Sequence, residues 1–196
     1  MLSVDAIVIG ASSGGVDAVG MLLAALPSRF RTPVVIVLHL LATAESLLVP
    51  VLAARCARPV REAADKEPIE AGVVYVAPPG YHLLVEPDLT FALSIDAPVN
   101  FCRPSIDVMF ESAAYAWRER LLGIVLTGAN ADGAEGLAAI RRFGGRAWVQ
   151  DPESAVAPAM PAAAIARAGA DRVLSLEAMA AALAGVEQEP TGVGAT

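Results

Sequence analysis

Two textures of hydrophobic position alternate along the chain. One is the short, continuous apolar run, as at Val34–Leu38 and Leu122–Leu126. A run with no polar face predicts a strand buried on both sides. The other is helical spacing, as at Val16–Leu26, which stops at Pro27. Asp5–Ile9 is a β-branched strand pattern broken by Gly10-Ala11-Ser12-Ser13-Gly14-Gly15. Glu45–Arg55 has helical spacing, with Pro50 expected to kink it. Ser105–Arg118 predicts a helix with Ser105 as N-cap after Pro104, and Ala134–Phe143 another that closes at Gly144-Gly145. Arg146–Gln150 and Val173–Ser175 read as strands, Pro158–Ala168 and Leu176–Ala184 as helices. Between about 57 and 103 the texture changes. Val73–Ala77, Leu83–Glu86 and Phe91–Ile95 are short strands separated by Pro78-Pro79-Gly80 and Pro87-Asp88. They are expected to form a small antiparallel excursion from the main sheet. From about residue 185 the chain is rich in Gly, Pro and Glu without a period, and a frayed tail over 185–196 is expected. The rest, 1–184, reads as one domain without internal repeats.

Strands alternating with helices predict an α/β fold around a mostly parallel sheet covered on both faces. Such sheets bind ligands at the carboxyl ends of the strands, where strand order reverses. Chemistry is therefore to be sought at the strand ends.

Composition narrows the classes. The chain has 196 residues, 56% hydrophobic and 18% charged, which excludes disorder over most of its length. No apolar stretch approaches the roughly 18 residues a spanning helix needs without meeting a charge or a proline. The segment Met1–Gly10 carries Asp5 and no basic region, so it reads as a strand and not a signal peptide. Cys56 and Cys102 fit no metal or redox spacing and are expected as reduced thiols in the cytoplasm. The net charge of −7 argues against nucleic acid as a partner. With one lysine, Lys66, and two histidines, His39 and His82, any mechanism that needs either type must use those positions.

Three strand ends carry chemistry. Gly10-Ala11-Ser12-Ser13-Gly14 matches G-x-S-x-G between a strand and a helix. By itself it leaves three readings open: Ser12 as a nucleophile, a glycine loop that binds phosphate, or a turn whose serines cap the helix. His39 ends the second strand. A lone histidine in an apolar run is most often structural, but this one falls beside the first strand if the two pair in parallel. Thr127-Gly128-Ala129-Asn130-Ala131-Asp132-Gly133 ends a third strand. There Asp132 would serve either as an N-cap or as the carboxylate that orients a histidine. Together the three supply the set needed for acyl transfer: Ser12 attacks, His39 takes and returns the proton, and Asp132 holds the imidazole. The backbone N–H groups of Ser13 and Ala129 would face the oxyanion.

Two neighbouring readings fail on chemistry. Short-chain dehydrogenases open with a similar turn but need a Tyr-x-x-x-Lys pair, and Glu62 stands four residues before Lys66. Ordinary α/β-hydrolases place the histidine last, and here no histidine follows His82.

The chain resembles the catalytic domain of the bacterial chemotaxis protein-glutamate methylesterases (CheB-type) from about Ala6 to Leu183. The likeness rests on Ile9-Gly10-Ala11-Ser12-Ser13-Gly14-Gly15, the His39 strand end, Tyr75-Val76-Ala77-Pro78-Pro79-Gly80 and Arg103-Pro104-Ser105-Ile106-Asp107. Leu126-Thr127-Gly128 with Asp132-Gly133, Gln150-Asp151-Pro152 and Met160-Pro161 complete it. The resemblance implies a doubly wound α/β sheet with an antiparallel hairpin insertion, and Ser12, His39 and Asp132 as the triad. It implies hydrolysis of glutamate γ-methyl esters on chemoreceptor helices with release of methanol, deamidation of receptor glutamines, and no metal or organic cofactor. The partners it implies are methylated chemoreceptor helices, with a separate receiver protein acting in trans as a candidate regulator. The sequence departs from the family's usual pattern at Gly128-Ala129-Asn130-Ala131, at Leu38 where glutamine is common, and at Cys102 where histidine is common. Two alternatives stand beside the esterase: a receptor-binding module without turnover, and an esterase for small molecules. His82, Trp117 and Trp148 are expected to be structural.

Overall fold

The computed structural model describes residues 3–39 and 47–186. Seven strands form one parallel sheet. They are β1 (Ala6–Ala11), β2 (Val34–Leu38), β3 (Val60–Glu62), β4 (Val74–Val76), β7 (Leu121–Val125), β8 (Arg146–Gln150) and β9 (Arg172–Leu174), in the spatial order β3-β4-β2-β1-β7-β8-β9. Every residue of β1, β2 and β7 is buried. This is the continuous apolar pattern of a sheet covered on both faces.

Successive side chains alternate between two cores. Ala6, Val8, Val35 and Val37 face a core shared with Phe110, Leu137, Ile140 and Met160 of α3 (Ile106–Trp117), α4 (Ala134–Arg142) and α5 (Ala159–Ala168). Ile7, Ile9, Ile36 and Leu38 face the opposite core with Leu22, Leu52 and Met179 of α1 (Gly15–Ala24), α2 (Leu48–Ala53) and α6 (Leu176–Leu183). Trp117 and Trp148 are buried packing residues, as expected.

β1 is the pivot of the sheet. It pairs in parallel with β2 on one side (Ile7↔Val34) and β7 on the other (Ile7↔Leu122). The chain runs outward from β1 through β2 and later crosses back to lay β7 on the free side. Strand order thus reverses at β1, and the carboxyl ends of β1, β2 and β7 lie side by side where such sheets bind ligands.

Two expectations are corrected. Val73–Ala77 was expected in the antiparallel excursion, but Val74–Val76 is a fully buried strand of the main sheet, paired in parallel with β2 (Val34↔Val74) and β3 (Val60↔Val74). Only β5 (His82–Val85) and β6 (Phe91–Ser94) form the antiparallel hairpin, with Val85 opposite Phe91. Burial on both faces distinguishes β4 from the hairpin strands, and its partners are too distant in sequence for local pattern to reveal. Nor does Pro50 kink a long helix. It lies in the first turn of α2, where its missing N–H would have no intrahelical partner anyway. Residues 45 and 46 of that expected helix, and 187–196 of the expected tail, lie outside the described residues, while Val186 is buried in the core beside α6.

Helices α3 and α4 approach each other closely at Gly136. A Cβ there would stand 2.5 Å from Phe110 Cβ and 3.0 Å from both the Cα and the carbonyl oxygen of Asp107. Backbone atoms cannot swing aside as a side-chain tip can, so Gly136→Ala should lose about 1–3 kcal/mol of stability to overpacking despite alanine's better helix propensity. Urea unfolding should show a lower midpoint at unchanged slope, and an unchanged midpoint would refute the close contact.

Candidate active site

The site is assembled at the carboxyl ends of β1, β2 and β7. Beyond β1 the chain is still pinned to the segment that follows β7 by the Ser12 N–H, which donates to Thr127 O at 2.9 Å. Gly14 takes a left-handed conformation (φ 78°) and turns the chain into α1 as its N-cap. No side chain caps this helix, so the capping-turn reading of the serines does not hold. Ser12 is half-buried, and Ser13 is exposed.

His39 follows β2 directly, its N–H donating to Ala11 O at 3.1 Å, so it sits beside the end of β1. Its Nε2 lies 2.8 Å from Asp132 Oδ2. Asp132 in turn is fully buried and saturated with donors. Ile106 N–H reaches Oδ2 at 2.7 Å, while Ser105 Oγ (2.8 Å), Asn100 Nδ2 (3.1 Å) and Asp107 N–H (3.2 Å) reach Oδ1. The carboxylate therefore occupies the N-terminus of α3, where free N–H groups and the helix dipole favour negative charge. The cap reading of Asp132 is corrected in its target. α4, which follows it in sequence, is capped at Gly133 without a side chain. The free N–H groups of α4 are taken by Asp107, whose Oδ1 accepts from Gly136 at 2.7 Å and Gly133 at 2.9 Å. Asn100 Nδ2 bridges the two acids, donating to Asp107 Oδ2 at 2.8 Å as well.

The two carboxyls titrate apart. Burial pushes Asp132 up, but hydrogen bonds from His39, the Ile106 N–H, Asn100 and Ser105 outweigh it and hold the group down at about 2. Burial pushes Asp107 up, the Gly136 N–H pulls it down, and the adjacent Asp132 charge raises it again, leaving it at about 6.

An ionised Asp132 on Nε2 fixes the proton there and leaves the lone pair on Nδ1. On that side stands Cys102, its Sγ 3.6 Å from Nδ1 and within 3.3 Å of Asn100 O. Burial and the Asp132 charge push the Cys102 thiol up, so it stays protonated. Among the described residues, no hydrogen bond joins Ser12 Oγ to His39. Catalytic contacts of this kind are often loose until substrate binds.

The turn after β7 is closed by Asn130, whose Oδ1 accepts from Asp132 N–H at 3.2 Å. The backbone N–H groups of Ser13 and Ala129 have no partner among the described residues, and both residues are exposed. His82 is structural, as expected: it is buried, accepts from Ser105 N–H through Nδ1 at 3.2 Å and donates from Nε2 to Ala97 O at 3.1 Å. His39, Cys102 and Asp132 also bring possible metal ligands within 4.8 Å of one another, a grouping that sequence spacing does not announce.

Of the three residues singled out in the sequence, the structure joins His39 to Asp132 and sets Ser12 at the end of the adjoining strand; Asn100 was not singled out, and Asp107 was given no role. Ser105 does act as N-cap, accepting from Val108 N–H, yet its hydroxyl also serves Asp132. The only signal for Asp107 was its place in Arg103-Pro104-Ser105-Ile106-Asp107. Asn100, in an irregular loop, carried none.

Comparison with known proteins places the chain in a family. The family model described as CheB methylesterase matches residues 7–183. A Leptospira interrogans protein named for protein-glutamate methylesterase and protein-glutamine glutaminase activities is 49% identical over 179 residues, covering 91% of this chain and 93% of that protein. A Trichodesmium erythraeum protein-glutamate methylesterase/protein-glutamine glutaminase is 38% identical over 183 residues, but the chain spans only 52% of its length. The crystal structure of the Thermotoga maritima CheB methylesterase catalytic domain superposes with a TM-score of 0.87 at 30% identity, covering 93% of this chain and 98% of that one.

The raised Asp107 has a thermodynamic consequence. Between its ordinary value near 4 and its native value of about 6, the folded protein binds more protons than the unfolded chain, so stability falls as pH rises through that window. Asp132 acts in the opposite sense at lower pH, losing its contribution as pH falls from about 4 toward 2. Thermal melts of wild type and Asp107→Asn at pH 4 and pH 6.5 should diverge. Wild type should lose about 2–4 °C more than the variant across this range, a shift that for a chain of this size corresponds to about 1 kcal/mol. Parallel slopes would refute the raised value.

Proposed function

The chain belongs to the CheB methylesterase family, and on that premise we propose that Ser12, His39 and Asp132 hydrolyse γ-methyl esters of glutamate on chemoreceptor signalling helices. The observation that carries this reading is the 2.8 Å bond from His39 Nε2 to a buried, donor-saturated Asp132, beside a serine at the end of the adjoining strand.

A serine hydroxyl is a weak nucleophile at neutral pH and needs a base. Nδ1 of His39 takes the Ser12 proton as Oγ attacks the ester carbonyl, and the buried Asp132 stabilises the imidazolium that forms. The N–H groups of Ser13 and Ala129 receive the developing oxyanion. A donor of this kind typically contributes about 10²–10³ in rate. Collapse breaks the C–O bond, His39 returns its proton to the departing methoxide, and methanol leaves. Water, activated by the same Nδ1, then attacks the acyl-serine. This frees the glutamate carboxylate and restores Ser12. With glutamine as substrate the same steps release ammonia.

The partners of this reaction are methylated receptor helices, and a separate receiver protein is a candidate regulator in trans. No described helix is long and apolar enough to cross a membrane. The reading places the enzyme in the cytoplasm. A receptor-binding module with reduced turnover is the second reading, and what favours it is Cys102 standing on the Nδ1 side of His39.

Methanol release from a methylated chemoreceptor cytoplasmic fragment tests the assignment. Ser12→Ala and His39→Ala should remain folded and lose about 10⁴–10⁶ in kcat, and Asp132→Asn about 10⁴. A fluorophosphonate probe should label wild type at Ser12. Undiminished release by Ser12→Ala would exclude this triad, and an unlabelled, inactive wild type would favour the binding module.

A further inference from the structure

We propose that the turn Val99–Cys102 is the docking point for the substrate helix, with Phe101 as its apolar anchor. This inference rests on the methylesterase reading and adds how the ester is delivered.

Phe101 is fully exposed, and it is held that way. Asn100 and Phe101 adopt successive left-handed conformations (φ 50° and 62°) that side-chain-bearing residues rarely take. Reciprocal backbone bonds between Val99 and Cys102, of 3.1 and 2.8 Å, close the turn. Both neighbours of Phe101 are tied into the site: Asn100 to Asp132 and Asp107, and Cys102 to His39 Nδ1. Arg103 braces the base of the loop, its Nη1 donating to Ile95 O at 2.8 Å and Asp96 O at 3.0 Å. The turn has positive φ at both centres, the favoured two-residue hairpin geometry, and the bonds of Asn100 account for its backbone. What the fold does not use is the phenyl ring, which buries nothing at a position where glycine is usual. A bulky apolar side chain at a left-handed position, with no packing return of its own, points to a functional constraint.

Single exposed apolar residues are ordinary. This one is not single. Ile95 and Val99 on the same loop are exposed, and Val156, 80% exposed, packs against the Gly14 turn that carries Ser12. Apolar surface therefore brackets the serine turn and the histidine–aspartate pair.

The chemistry of the substrate calls for such a surface. A glutamate methyl ester offers few atoms for recognition, so selectivity must come from the structure that bears it. Aromatic anchors at the centre of a contact typically carry most of its affinity. The occupant is an amphipathic protein helix whose apolar residues lie one turn from the esterified glutamate, at i±3 or i±4. They meet Phe101 while the ester enters beside His39.

Steady-state methanol release from a methylated receptor fragment, set against hydrolysis of p-nitrophenyl acetate, tests this in wild type, Phe101→Ser and Phe101→Leu. Phe101→Ser should lower the ratio of kcat/KM for the fragment to that for the small ester tenfold or more, chiefly through KM. Phe101→Leu should recover most of the loss. Equal losses on both substrates would mean that Phe101 acts through the triad, and an unchanged ratio would mean that it contributes nothing; either overturns the proposal. Wild type that cleaves p-nitrophenyl acetate but not the fragment overturns both the receptor substrate and its docking. A dimer in sedimentation that Phe101→Ser dissolves would assign the surface to a second copy and overturn the helix.

Discussion

Helices α3 and α4 exchange carboxylates, and the site depends on that exchange. Asp132 precedes α4 yet accepts from the first N–H groups of α3, while Asp107 opens α3 yet accepts from those of α4. Each helix start has orphan donors that burial makes costly to leave unpaired. Each acid is a buried charge that needs donors just as much. Crossing them satisfies both demands at once and locks the two helices in register where Gly136 lets them touch. The orientation of Asp132 toward His39 is thus set by helix packing and not by a local turn. The exchange has a cost: the two acids sit side by side, and the one with fewer donors, Asp107, is pushed up.

The sheet imposes the other constraint. β1, β2 and β7 are buried on every residue, so no ionisable group can stand within them without losing its solvation. Polar chemistry is expelled to the strand ends. Because β1 is the first strand and also the point where order reverses, the ends of three adjacent strands meet there. Ser12 and His39 each follow directly on a strand whose position the hydrophobic core fixes. Asp132 stands farther out, in a turn braced by Asn130 and the start of α3.

This explains what could be read from the sequence. β2 was legible to the residue because a continuous apolar run is a local signal, and β8 because Gly144-Gly145 and Asp151-Pro152 bound it. Ser12, His39 and Asp132 stood out as candidates because glycine breaks and lone polar groups at the ends of such runs are local too. β3 was not, since Val60–Glu62 is a half-exposed edge strand with two charged residues. β4 was legible as a strand but not in its pairing, which joins residues some forty apart, as Val34 and Val74. The cap partners of Asp132 and Asp107, the bridging Asn100 and the approach of Cys102 to His39 were invisible for the same reason. Each is a contact between segments that no spacing rule connects.

The orientation of the imidazole follows from the order of the strands. His39 continues β2 and Ser12 continues β1, one strand spacing away, about 4.8 Å. Asp132 arrives from β7, on the far side of β1, two spacings from β2. In the proposed triad the histidine serves both neighbours, and its outer nitrogen, Nε2, is turned toward the distant acid. The inner nitrogen, Nδ1, is left for the near strand. That is the reverse of the arrangement in serine proteases, where the acid holds Nδ1 and the serine meets Nε2. The difference is one of reach and not of chemistry, since either nitrogen can be the base once the other is held as a donor. It also explains why residue 102 matters here. The side chain at that position faces Nδ1, the nitrogen that the proposed mechanism opens to Ser12. The thiol, kept protonated by burial and by the Asp132 charge, stands on that approach, so the reach of Ser12 to Nδ1 depends on how this one side chain gives way.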